Sequence, residues 1–288
     1  MRDHLLGAHA VSGFGDSFKT GGKVVKNVTG YDLCKLLAGS WGTLAVMTEV
    51  TLKVMPRPES ERTLVLRGLD DLAANRAMTM ALGSPFDVSG AAHLPASALR
   101  PEAGGLDRLG APREAATLLR LEGTAASASH RAASLAKLLA SFGAAATLED
   151  TASASAWISV RDAAPFAAAG ALGAWPVWRI VCPPAAGGAL GQALARESGG
   201  EVIYDWGGGL IWTALPPKRD AQAALVRERA SAIGGHATLL RASDEVRRDV
   251  DVFHPQPDGL AALEERVRAS FDPKSILNRG RMRRGAAA

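Results

Sequence analysis

Cysteine is nearly absent from the 288 residues: Cys34 and Cys182 stand far apart, with no CxxC spacing. That excludes a disulfide framework and a thiolate-held zinc or iron–sulfur site built by this chain. Histidine is sparse too. His4, His9, His93, His130, His236 and His254 show no HxxxH or HxxE spacing, so surface or helix-end positions are their expected roles and no metal is expected. No run of about eighteen apolar residues occurs, which argues against a membrane-spanning helix. The opening "MRDHLLGAHAV" lacks the basic, apolar and small-residue succession of an export signal, so the expected location is cytoplasmic, with peripheral attachment at the inner membrane face left open. Charge of one sign is not clustered either. The net charge of +4 comes from basic residues interspersed with acids, which does not fit a nucleic-acid-binding surface. The densest group, Arg279, Arg281, Arg283 and Arg284, lies at the C-terminal end and reads as a solvated tail.

What is present is core-forming material: 47% of the residues are hydrophobic and 22% charged, enough for about two globular domains. "LLGAHAV" and "SFKTG" flank a turn at Gly13–Asp16 and predict a β-hairpin. A short helix follows with Leu33, Leu36 and Leu37 on one face and Gly39 as a left-handed cap. "GTLAVMTEVTLKVMP" then predicts one or two strands ended by Pro56 and Pro58.

From Glu61 onward the pattern is strand, helix over 70–82, two strands ("FDVSGAAHL", "ATLLRLEG"), helix over 125–142 and strand "AATLED". After a connecting helix containing Trp157, the same βαββαβ order returns: "PVWRIVCP", helix over 184–197, "GEVIYDW", "GLIWTAL", helix over 218–233 and "HATLLR". Two split βαβ units in tandem predict an α+β fold with largely antiparallel sheets and helices on one face. A last helix carries Leu260, Leu263, Val267 and Phe271 at helical spacing and stops at Asp272 and Pro273. The predicted division is 1–60, 61–242 and 243–288.

Gly39, Gly42 and the small Ala45 let main chain approach a flat or charged ligand. On spacing alone the cluster reads as a helix cap and a tight turn, with a binding loop as the alternative; the ending excludes a Walker loop, and glycines that precede a strand do not fit a Rossmann fingerprint. Gly207–Gly209 reads as a hairpin turn, Trp206 and Trp212 as sheet-core residues with a pocket as the alternative, and Asp32 as a helix opener. Lys26 and Asn27 acquire no role from chemistry alone.

"KNVTGYDLCKLLAGSWGTLAVMTEVTLKVMPRP" resembles the second half of the FAD-binding domain in flavoproteins of the vanillyl-alcohol-oxidase (PCMH) type. Its lead-in, the "YDWGGGLIW" stretch and the ending "FDPKSILNRGRM" are most similar to the FAD-binding subunits of glycolate oxidase. The resemblance implies the C-terminal half of a PCMH-type FAD-binding domain followed by a cap domain of two tandem ferredoxin-like units, with the last segment returning to the FAD domain. It places Trp41, Gly42, Thr43, Leu44, Ala45, Val46, Met47 and Asn278 at FAD. It also implies oxidation of glycolate, or another small 2-hydroxy acid, to the 2-oxo acid, with an iron–sulfur subunit and a second FAD-linked catalytic subunit as partners. Two residues depart from the pattern: Ala45 replaces a glycine and Arg279 a proline, and a methyl group at Ala45 is compatible with close approach only at negative φ. No histidine-rich segment of the related catalytic subunits is found, so no catalytic base is named. The family's pyrophosphate loop belongs to a half-domain preceding this sequence, so the expectation is a late-called start, a truncated gene or a split gene, and weak FAD binding by this chain alone. A noncatalytic assembly subunit or fragment is the alternative.

Overall fold

A computed structural model describes residues 2–24, 30–99 and 114–282. Lys26, Asn27, Arg283 and Arg284 lie outside the described residues. The chain divides into two compact units, one formed by Met1–Arg57 with Pro255–Ala288 and the other by Pro58–His254.

In the smaller unit, β1 (Leu5–Ser12), β2 (Ser17–Gly21) and, after helix α1 (Leu33–Leu37), β3 (Ala45–Leu52) form an antiparallel sheet of order β2-β1-β3. Asp32 opens α1 by accepting the Lys35 amide at 3.3 Å. The buried face of α1 is Cys34 and Leu37, whereas Leu36 is exposed, which corrects the expected Leu33–Leu36–Leu37 face. A helix of five residues lying on β1 and β2 turns inward only positions about three apart. Strand β3 is less covered than its β-branched sequence suggests. Ala45 is buried, but Val46, Met47, Val50 and Leu52 are exposed, and β3 pairs with β1 alone among the described residues.

The larger unit has the tandem order expected. Strand β4 (Ser60–Arg67), α2 (Asp71–Leu82), β5 (Val88–Leu94), β6 (Ala116–Gly123), α3 (Ala125–Leu138) and β7 (Ala145–Glu149) make the first βαββαβ unit. Helix α4 (Asp150–Arg161) leads to the second, made of β8 (Val177–Val181), α5 (Gly187–Ser198), β9 (Glu201–Asp205), β10 (Leu210–Ala214), α6 (Ala223–Ser231) and β11 (His236–Arg241). The two do not stay separate. They join edge to edge in one antiparallel eight-stranded sheet of order β11-β8-β10-β9-β5-β6-β4-β7, so each half carries the ferredoxin-like order 4-1-3-2.

Alternation along the strands sends residues to two cores. Leu119 and Leu121 of β6 join Met78, Leu135, Trp178 and Leu194 on the face covered by helices. Leu118 joins Val65, Ile203, Trp157 and Val160 on the other, where α4 packs. Burial on both faces is why "ATLLRL" reads as nearly unbroken apolar sequence. Helix α4 is fixed by a polar clasp: Trp157 Nε1 donates to Thr63 Oγ1 at 2.8 Å, and the Thr63 and Ser153 hydroxyls lie 2.7 Å apart.

The join between the halves is a single bridge, His93 opposite Tyr204. His93 is fully buried, correcting its expected surface role. Its Nδ1 stands 2.9 Å from Thr117 Oγ1 and its Nε2 3.4 Å from Asp71 Oδ1, while the Tyr204 hydroxyl donates to Asp71 Oδ2 at 2.6 Å. Burial opposes the Asp71 charge, but the adjacent His93 ring and the hydrogen bond from Tyr204 prevail and hold its carboxyl below the ordinary range. Burial pushes the Tyr204 phenol up.

Trp206 is a second correction: it is 54% exposed, not in the sheet core, and Trp206–Gly208 form one short helical turn rather than a plain hairpin. Residues 243–254 belong with the larger unit, tied by Val252, whose carbonyl accepts the Leu239 amide, and by helix α7 (Asp244–Asp249). The last helix, α8 (Asp258–Phe271), lies in the smaller unit, where Val267 and Phe271 pack on its core while Leu260 and Leu263 stay exposed. None of the described helices is long and apolar enough to cross a membrane.

A Cβ at Gly191 on α5 would intrude on the Tyr204 phenol, which its bond to Asp71 prevents from stepping aside. Gly191→Ala is expected to lower the unfolding free energy by about 1–3 kcal/mol, an overpacking cost read from urea unfolding monitored by circular dichroism.

Candidate functional site

The turn from Ser40 to Thr43 is closed by the Thr43 amide donating to the Ser40 carbonyl at 3.0 Å. Its two central residues, Trp41 and Gly42, have φ of 55° and 70°, the left-handed pair that a type I′ turn requires. For glycine this costs little; for tryptophan it costs about 1–2 kcal/mol. Residue type alone does not announce that conformation at Trp41. Such backbone strain persists only where the surroundings hold it, and it concentrates at functional sites.

What holds it comes from the other end of the chain. Helix α8 stops at Phe271, whose carbonyl accepts the Gly13 amide at 2.8 Å and whose ring tilts against Phe18 with centroids 6.1 Å apart. The next side chain, Asp272, is 1% exposed, and its carboxylate accepts the amides of Ile276 at 3.1 Å and Leu277 at 2.8 Å. This reverses the chain and lays Asn278 beside the turn. Asn278 Nδ2 donates to the Trp41 carbonyl at 2.6 Å, and the Arg281 guanidinium lies over the Trp41 indole, 5.2 Å from its centroid.

Trp41, Asn278, Arg279, Gly280 and Arg281 line a cavity of about 510 Å³. Of the eight residues expected at a cofactor, the structure therefore brings Trp41 and Asn278 to one cavity, with Gly42 directly against Asn278. Thr43, Leu44 and Ala45 are buried, and the Thr43 hydroxyl donates to the Ser40 carbonyl at 2.7 Å. Ala45 has no positive φ; its methyl enters the small core beside Ala8, Ala10 and Leu37, so replacing glycine there carries no strain. Val46 and Met47 are exposed on β3 and do not line this cavity.

Sequence reasoning missed Arg281 and Asp272 as parts of the arrangement. The readable signal was Asp-Pro directly after the helix, since an acid at a helix end followed by a chain reversal serves amides that have lost helical partners. Arg279, placed where the pattern has proline, adds positive charge to the wall.

The site suits a flat, negatively charged group. The test is Gly42: a Cβ there would stand 2.7 Å from Asn278 Nδ2, so the close seat of Asn278 on the turn depends on a bare main chain. The donor set is an indole, an amide and two guanidinium groups, with no carboxylate in the lining. That chemistry fits FAD. Among the described residues no three His, Cys, Asp or Glu side chains gather as metal ligands.

Residues 76–194 match the family described as FAD linked oxidases, C-terminal domain. Over 287 residues the chain is 29% identical to glycolate oxidase subunit GlcE of Escherichia coli (strain K12), a match covering 98% of this chain and 66% of that protein. A 64-residue stretch is 47% identical to glycolate oxidase subunit GlcD of Bacillus subtilis (strain 168), covering 22% of this chain and 14% of that one. The chain thus spans just under two thirds of the first relative and a small part of the second. Among solved structures, p-cresol methylhydroxylase with substrate bound aligns with a TM-score of 0.63 at 12% identity, over 97% of this chain and 65% of that chain. The 4-ethylphenol oxidase from Gulosibacter chungangensis aligns with a TM-score of 0.61 at 16% identity, over 98% and 66%. These two likenesses establish the PCMH-type fold.

Asp272→Ala leaves two amides without their charged acceptor. It is expected to lower the unfolding free energy by about 2 kcal/mol, and to speed hydrogen exchange at Ile276 and Leu277 well above that of the β1 amides; unchanged exchange there would show that the reversal stands without the carboxylate.

Proposed function

We propose that this chain, whose residues 76–194 match the C-terminal domain of FAD linked oxidases, is a FAD-binding subunit of a 2-hydroxy-acid dehydrogenase of the glycolate oxidase type, converting glycolate to glyoxylate. The observation that carries this reading is the strained turn at Trp41–Gly42, seated against Asn278 and roofed by Arg281. FAD is the family's cofactor. The residues that would hold it are the main chain of Trp41 to Met47 and Asn278, with Arg279 and Arg281 supplying positive charge. When bound, FAD supplies a two-electron acceptor for the α-carbon hydrogen of the substrate. This chain's own part is positioning: Asn278 and Arg281 fix the turn before any ligand arrives, so little ordering cost falls on binding.

Glycolate oxidase subunits GlcE and GlcD, to which this chain is similar, carry in their names membership of one enzyme, and we extend that to this chain as a component beside a second FAD-linked catalytic subunit. Two cysteines, both buried, do not make a four-thiolate cluster, so onward electron transfer is assigned to a separate iron–sulfur subunit.

The test is spectroscopic. The chain, alone and extended by the coding sequence directly upstream, is purified, freed of unbound flavin and scanned in the visible range. A yellow protein that bleaches on adding glycolate is the expected result for the extended form. Gly42→Ala should retain flavin about tenfold more weakly, the cost of a side chain at positive φ. A folded, colourless protein in both forms, even with FAD in excess, would reject the reading in favour of a noncatalytic assembly subunit.

A further inference from the structure

Strand β3 has one free edge. It pairs with β1 alone among the described residues, and that pairing runs on past its end, where the Lys53 amide donates to the His4 carbonyl at 2.8 Å. Backbone groups alternate in direction along a strand, so those of Glu49, Thr51 and Lys53 turn toward β1 while those of Val50 and Leu52 turn outward. On β3 itself the register shifts only at Thr48, which leaves Glu49 to Lys53 unbroken.

The side chains at this edge are apolar on one face and oppositely charged on the other. Val50 stands opposite Ala8 and Leu52 opposite Leu5, both buried on β1, yet Val50 is 47% and Leu52 50% exposed. The covered face of the small sheet thus runs out bare at its margin. Edge strands of soluble proteins are ordinarily protected by proline, by lysines or by being very short. From Ala45 to Met55 there is no proline, and the charged residues are Glu49 and Lys53 alone. Both are exposed, both project from the face opposite to Val50 and Leu52, and neither is held in an ion pair among the described residues.

We propose that this edge pairs with the same edge of a second copy of the chain, antiparallel about a two-fold axis through Thr51. A symmetric pairing must set outward backbone groups against outward backbone groups, which confines the axis to a residue and forbids it the gaps between residues. Centred on Thr51, it makes Val50 and Leu52 of the second copy a mutually hydrogen-bonded pair, with their apolar side chains side by side. On the other face it sets Glu49 opposite Lys53 of the second copy, at both ends by symmetry, and Thr51 opposite its own copy. Opposite charges directly across a strand pair attract and like charges repel. Moving the axis to Val50 or to Leu52 puts Glu49 opposite Thr51 or Met55 and loses both ion pairs, so the charges select one register. The two three-stranded sheets then run into one continuous sheet with no bare margin at β3. This association stands apart from the flavin assignment and needs no ligand.

The experiment is sedimentation velocity on the full chain over about 1 to 100 µM, with far-ultraviolet circular dichroism to confirm that each variant is folded. The parent chain is expected to double in mass toward the upper end of that range. Glu49→Lys sets lysine against lysine at both ends of the pairing and should weaken association about tenfold or more. The exchange Glu49→Lys with Lys53→Glu should restore it to within about threefold, a recovery that only the register centred on Thr51 provides. Val50→Pro removes an outward N–H and touches no bond to β1, so it should abolish the dimer and leave the fold intact. A chain that stays monomeric throughout, a dimer that Glu49→Lys leaves unweakened, or a double exchange that fails to recover would each overturn the proposal. So would a dimer that disappears when the chain is extended by the coding sequence directly upstream, since the edge would then be the seat of that segment.

Discussion

The larger unit depends on closing a seam. Each ferredoxin-like half ends in a strand edge, β5 in one and β9 in the other, and two such edges left bare would expose unpaired amides and carbonyls. Backbone pairing across the seam is brief, one bridge at His93 and Tyr204. Side chains do the rest. Asp71, projecting from the first turn of α2, meets both His93 and Tyr204, so a helix of the first half is bonded to a strand of the second. Every member is buried or nearly so, and losing the Tyr204–Asp71 bond would desert two polar groups at once, which costs more than a neutral hydrogen bond returns. The continuity of the sheet across its two halves follows from these contacts.

Element order was legible because it is written in local pattern. Apolar residues at helical spacing in 71–82 and 187–198, runs such as "VWRIV" and "LIWTA" and the glycines between them identify strands and helices without reference to distant parts of the chain. The repeat of βαββαβ was visible for the same reason. The fusion of the two halves was not, since pairing of β5 with β9 joins residues more than a hundred positions apart. His93 was misplaced on the same account: its burial depends on Thr117 and Asp71, neither a near neighbour in sequence.

The candidate site divides in the same way. Gly42 as a tight turn was readable from residue type, and the return of the C-terminal segment from its resemblance to known flavoproteins. The positive φ of Trp41 was not readable, because a tryptophan has no preference for that region and occupies it only under tertiary constraint. Trp206 escaped for the same reason, and an indole in a sequence rich in strands was assigned to the core by default. In both places a local rule fails and an arginine lies on the indole, Arg281 on Trp41 and Arg179 on Trp206. Departures from local consistency of this kind are expected at functional or strained sites.

The contact between Asn278 and the Trp41 carbonyl has a thermodynamic corollary. Because the left-handed tryptophan is uphill on its own, the terminal segment and the bend form a coupled pair, each lowering the other's free energy. Linkage makes that coupling reciprocal: any molecule that prefers the seated bend must, by the same factor, favour the docked over the released segment. The seating of residues 272–282 and the conformation of the bend near the amino terminus are thereby two readings of one equilibrium.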